Sequence, residues 1–172
     1  MKLEELFQDK TIKQKAKTEG LSRLLLDKKL DIEDLIVFAE KAKSAEKATC
    51  MEALEYATRQ TPEVANEKCL QFVSSNLADE APRVKWESAK VIGNIAHLFP
   101  ANLDTAIDHL LTNTEYQGTV VRWAAAYALG EILKLKTKYN EDLLPAIEAI
   151  CDREENKGVQ KKYLDAIKKI KK

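Results

Sequence analysis

The side chains most able to do chemistry in this chain are few, and their spacing does not assemble a reactive centre. The two histidines, His97 and His109, fall on different segments. Neither has a His-x-x-x-His or Cys-x-x-Cys neighbour, so the spacing of a zinc site is missing. Cys50, Cys69 and Cys151 are an odd count without paired spacing, which argues against a secreted disulfide framework and for a reducing compartment. Cys69 and Cys151 sit among Leu70, Phe72, Ile147 and Ile150 and read as buried thiols, whereas Cys50 is expected to be more exposed. There is no glycine-rich phosphate loop and no nucleophile elbow. The expectation is a protein with no catalytic residues, no metal and no cofactor.

What the sequence does offer is the chemistry of recognition. Val84-Lys85-Trp86-Glu87-Ser88-Ala89-Lys90-Val91-Ile92-Gly93-Asn94-Ile95 returns as Val121-Arg122-Trp123-Ala124-Ala125-Ala126-Tyr127-Ala128-Leu129-Gly130-Glu131-Ile132. At about 100° per residue, Val84, Ser88, Val91, Ile92, Ile95, Leu98 and Phe99 form the apolar side of one helix. Trp86, Lys90, Gly93 and His97 share the opposite side. In the next copy the same phases hold Trp123, Tyr127, Gly130 and Lys134, and in the flanking copies Cys50 with Leu54 and Lys161 with Asp165. Two readings of the indoles follow: they pack between neighbouring copies in the space left by Ala89, Gly93, Ala126 and Gly130, or they form an aromatic binding ridge.

The elements that carry these residues repeat. The two strong copies are 37 residues apart, and weaker ones follow at offsets of 36 upstream and 38 downstream. Self-similarity at this period, in a sequence poor in glycine (5) and proline (4), predicts stacked helical hairpins. Second helices are expected at about 45–59, 83–98, 119–135 and 158–170. First helices are expected at Asp31 to Ala42, Thr61 to Leu77, Asn102 to Leu111 and Asn140 to Cys151. Thr61-Pro62, Asn102 and Asn140 offer caps, and acids follow Asp31 in a first turn. Residues 1–30 fit the register poorly and read as an N-terminal capping hairpin, with Gly20 as a helix stop. The prediction is an all-α, right-handed solenoid forming one domain over 1–172, with repeats at about 31–60, 61–98, 101–135 and 139–170.

These residues resemble a known family. Asp79-Glu80-Ala81-Pro82-Arg83-Val84-Lys85, followed by Ala89, Ile92, Gly93 and Ile95, is similar to the HEAT repeat, which carries an Asp in the inter-helix turn and a base six residues later. Leu143-Leu144-Pro145-Ala146-Ile147 is similar to that family's proline-bearing first helix. The resemblance implies a turn-stabilising contact between Asp79 and Lys85, and a structural role for Arg122 at the equivalent position. The third repeat departs from the pattern, because Tyr116 stands six before Arg122. The resemblance further implies a scaffold whose second helices line a concave face that meets protein partners.

Composition narrows the function classes. Lys and Arg total 28 and Asp and Glu total 28, a net charge of zero, which disfavours a chain built around a polyanion. The lysine-rich segments at residues 10–17 and 157–172 read as solvated helix faces. No run approaches the length of a membrane span, and the first residues lack a signal-peptide pattern, so a cytoplasmic location is expected. The function this supports is a noncatalytic, monomeric scaffold holding a protein or peptide with Trp86, Lys90, His97, Trp123, Tyr127 and Lys134. The alternative is a HEAT-like DNA-binding protein or an alkylated-base DNA glycosylase, for which a paired acid and a basic field are wanting.

Overall fold

The computed structural model describes residues 2–172. Among them ten α-helices follow one another: α1 (Leu3–Gln8), α2 (Gln14–Leu26), α3 (Ile32–Lys41), α4 (Ser44–Gln60), α5 (Glu67–Asn76), α6 (Pro82–Ile95), α7 (Asp104–Asn113), α8 (Thr119–Lys134), α9 (Asn140–Arg153) and α10 (Lys157–Ile170). No strand occurs among the described residues.

Local chemistry sets several helix starts. Asp31 accepts from the Glu33 amide at 2.8 Å, Asn66 from Cys69 at 2.9 Å and Asn156 from Val159 at 3.1 Å, each satisfying an orphan amide of a first turn. Pro82 occupies the first position of α6, where its missing N–H costs nothing. Four expected signals resolve differently. Thr61-Pro62 opens only a short 3₁₀ turn, Pro62–Val64, and the helix proper waits for the Asn66 cap. Asn102 does not cap α7, and Asn140 lies inside α9, donating from its amide to the Leu133 carbonyl at 2.9 Å. Gly20 does not stop a helix but sits within α2, exposed, with no atom within 4 Å of where a Cβ would lie.

The helices stack in two layers. The even-numbered helices lie side by side in chain order, α2 against α4, α4 against α6, α6 against α8 and α8 against α10. The odd-numbered helices pack behind them, with α3 against α5 and α5 against α7. The core runs unbroken between the layers, where Leu35, Leu54, Ile92, Ile95, Leu110, Leu129 and Ile132 are completely buried. Such a core is shared by neighbours, so no hairpin covers its own apolar face. At the N-terminal end the short α1 is held by Phe7 stacking on Phe38 at 4.9 Å and by the Lys17 ammonium donating to the Phe7 carbonyl at 3.0 Å. No helix among the described residues is long and apolar enough to cross a membrane.

α6, α8 and α10 approach one another closely, and small residues allow it. Ala124, Ala125, Ala126 and Ala128 are completely buried. A Cβ on Gly130 would lie 3.2 Å from the Ala166 Cβ, and one on Gly93 would lie 2.2 Å from Cε2 of Tyr127. The two glycines therefore serve inter-repeat packing, and Tyr127 fills the space over Gly93.

Candidate functional site

The turns beneath the second helices are tied together by bases, but not in the pairing that the HEAT pattern implies. Asp79 accepts from the Ala81 amide at 2.9 Å and pairs with Lys47 of α4 at 3.1 Å rather than with Lys85. Lys85 donates to the Leu77 carbonyl at 3.5 Å and lies over the Tyr116 ring at 5.6 Å. Arg122 donates to the carbonyls of Tyr116 and Gln117 at 3.0 and 2.8 Å and pairs with Glu154 at 2.7 Å. Each base thus reaches forward to the turn of the following hairpin, where Asp79, Tyr116 and Glu154 receive it in succession. The third hairpin's departure from the pattern, a tyrosine for an acid, is accommodated by exchanging an ion pair for a cation–π contact.

On the face of the ladder turned away from the outer layer, the aromatic residues stand partly free. Trp86, Trp123 and Tyr127 are all half-buried. Both indoles pack against the core, as the inter-repeat reading expects, and each stays partly accessible to solvent. Tyr127 lying against Gly93 sets a register of 34 residues between α6 and α8. Two turns earlier that register brings Val120, 52% exposed, level with Trp86. Trp86, Val120 and Trp123 therefore form one apolar strip. Trp123 stacks on Tyr127, centroids 6.1 Å apart, and the Lys162 ammonium from α10 lies over both rings at 5.0 and 5.8 Å.

A polar network continues from the rings toward α4. The Tyr127 hydroxyl donates to Oδ1 of Asn94 at 2.6 Å. The Asn94 amide donates in turn to the Glu55 carbonyl, the Glu55 carboxylate and the Thr58 hydroxyl, all within 3.2 Å. Lys90 is not a free cation. It pairs with Glu87 at 2.8 Å and approaches Glu55 at 3.7 Å, while Arg59 closes on Glu55 at 3.2 Å. Glu87 is only 2% exposed and its Oε2 has no partner, so burial pushes its carboxyl above the ordinary value despite Lys90. Burial likewise raises the Tyr127 phenol to about 12. Lys134 pairs with Glu131, and Lys161 with Asp165 at 2.9 Å. His97 is exposed in the 3₁₀ turn Ala96–Leu98 that follows α6, at the margin of this surface.

In α4 the expected register slips. Cys50 and Leu54, placed on the open side by an offset of 36, are both completely buried. The open positions are Glu52, Tyr56 and Arg59, with Tyr56 40% exposed and Arg59 over its ring at 5.2 Å. The expectation of a more exposed Cys50 is therefore wrong, and burial lifts the thiols of both Cys50 and Cys69 to about 12. Sequence reasoning also passed over Glu55 and Glu87. The available signal was Glu87 lying three residues before Lys90, a helix-neighbour ion pair.

No family model matches the chain, and no curated protein matches it. Solved structures do. An engineered protein is similar with a TM-score of 0.71 and 18% identity, over 92% of this chain but 44% of its own, so this chain spans less than half of that protein's length. A designed armadillo repeat protein in complex with the peptide (KR)4 is similar with a TM-score of 0.70 and 17% identity, over 91% of this chain and 74% of that one. A computationally designed armadillo repeat protein for modular peptide recognition follows at 0.67 and 19%, over 90% and 74%. These likenesses establish the all-helical repeat solenoid, with armadillo-type arrays as its neighbours, and leave HEAT membership as a resemblance.

Proposed function

We propose that the chain is one noncatalytic interaction domain, monomeric and cytoplasmic, which holds a peptide or protein segment along the open face of its even-numbered helices. The observation that carries this reading is the strip of Trp86, Val120 and Trp123, whose partly accessible indoles recur on adjacent helices in one register. Rigid amphipathic rings of this kind are favoured anchors at protein interfaces. Lys90 and Tyr127 frame the strip, and His97 and Lys134 form its rim. The acids nearest to it, Glu55, Glu87 and Glu131, are engaged by Lys90, Arg59 and Lys134, which disfavours the glycosylase alternative. Structural neighbours include designs made for peptide recognition, which is consistent with a groove that takes extended chain.

The reading is tested by panning short random peptides on the immobilised protein and rebinding the enriched sequences to Trp86→Ala and Trp123→Ala. Loss of a central aromatic anchor is expected to weaken binding about tenfold or more. An exposed position in the outer layer, Gln71→Ala, is expected to change nothing. Peptides that bind both tryptophan variants as well as the parent would overturn the proposal.

A further inference from the structure

The zero net charge of the chain conceals a separation by layer. The five even-numbered helices carry fifteen basic and seven acidic residues, whereas the five odd-numbered helices carry three basic and twelve acidic. The open face is thus the basic side of an otherwise balanced molecule. Five of those seven acids are already neutralised from within: Glu52 by Arg83 at 2.8 Å, Glu55 by Arg59 and Lys90, Glu87 by Lys90, Glu131 by Lys134 and Asp165 by Lys161. Along α10, by contrast, Lys162 and Lys169 have no carboxylate within ion-pair distance among the described residues. Lys169 lies two turns beyond Lys162, on the same side of the helix. The close approach of Gly130 to Ala166 brings that side alongside Trp123, Tyr127 and Lys134 of α8.

Resting on the reading of this face as a peptide groove, we propose that its occupant is an acidic peptide segment with an apolar or aromatic residue. The apolar side chain lies on Trp86, Val120 and Trp123, and flanking carboxylates meet Lys162 and Lys169. Charge complementarity is the argument: bases without partners border the aromatic strip on the α10 side, and a basic peptide would meet them uncompensated. Lys162 is poised for this role. Its ammonium sits over two rings with no carboxylate in ion-pair contact, so it can donate to a ligand carboxylate at the ring edge without breaking an ion pair. A single-stranded nucleic acid fits less well, because a charge at every nucleotide needs an unbroken basic track, and α8 at the centre of this face carries only Arg122 and Lys134, both already paired with carboxylates.

The experiment is the same panning, read for the charge of the enriched peptides and repeated on Lys162→Glu and Lys169→Glu, with oligo(dT) as a competitor. Melting temperatures confirm that each variant is folded. Enriched sequences are expected to carry excess Asp and Glu beside an aromatic or aliphatic residue. Their binding is expected to fall about tenfold on either lysine reversal, and with rising salt. Enrichment of basic sequences that still depend on Trp86 and Trp123 would overturn the acidic partner while leaving the groove in place. Displacement of the peptides by oligo(dT) at comparable concentration would overturn it in favour of nucleic acid. Acidic peptides indifferent to the tryptophans and to Lys162 would overturn groove and inference together.

Discussion

Gly93 and Tyr127 hold the centre of the open face together, and the contact is too tight for any added atom. A Cβ at Gly93 would meet the Tyr127 ring at 2.2 Å, and the ring is fixed by its hydroxyl bond to Asn94. Gly93→Ala is expected to destabilise the fold by about 1–3 kcal/mol, as overpacking does, and Tyr127→Ala added to it should restore part of that loss. Denaturant titration of the single and double variants measures this, and full additivity would contradict it. Glu87 offers a second check. Its folded carboxyl is raised above the unfolded value of 4.5, so the folded state binds a proton more tightly and loses stability as pH rises through the folded value. Glu87→Gln is therefore expected to raise the melting temperature at neutral pH, with the advantage fading as pH falls toward 4.5 and below. The three cysteines, all buried with raised thiols, are expected to resist a thiol reagent until the protein is denatured. In the sequence, Gly93 was legible as a packing residue because it recurs at Gly130. That Tyr127 fills its space was not, since the filling ring depends on the register between two helices and not on the spacing within one.

At the scale of the element, the forward-reaching bases decide how hairpins stack. Arg122 bonds two turn carbonyls and the carboxylate of Glu154, both partners being mostly buried, so Arg122→Ala is expected to cost about 2–3 kcal/mol. Arg122→Lys should recover only part, because one ammonium cannot reproduce the planar fork. Burial raises the Glu154 carboxyl, but the bonds and charge of Arg122 outweigh it and hold the group below its ordinary value. Its contribution is thus present above the unfolded value of 4.5 and lost as pH falls through the folded one. Comparing the melting temperature of Arg122→Ala with the parent down this range should show the gap closing. The helices themselves were legible from period and punctuation, and the observed bounds of α4, α6, α8 and α10 lie within about three residues of those read from the repeats. The turn contacts were not. Asp79 and Lys85 stand at the right sequence spacing, but the structure pairs Asp79 with Lys47, 32 residues away on the preceding hairpin. The slip in α4 has a similar cause. Its sequence lacks the Trp and Gly that mark α6 and α8, so nothing local distinguished an offset of 36 from the one that buries Cys50 and exposes Tyr56.

At the scale of the molecule, the layered charge emerges only once helices are sorted into inner and outer rows. Read linearly, the surplus of bases on the even-numbered helices and of acids on the odd-numbered ones cancels, and the terminal lysines look like a solvated tail. Stacked, they give a basic open face and an acidic back. This separation predicts that affinity for a groove ligand falls with ionic strength while thermal stability, carried by the shared apolar core, changes little. The central claim is that the open face around Trp86 and Trp123 is where the partner sits. These are the only two tryptophans in the chain, so in nitrogen-15-labelled protein their indole N–H resonances report on that face alone. Titration with a peptide enriched by panning is predicted to move both indole signals together with amides of α6, α8 and α10. Saturation of binding with both indoles unmoved, and shifts confined to α3, α5, α7 and α9, would contradict it.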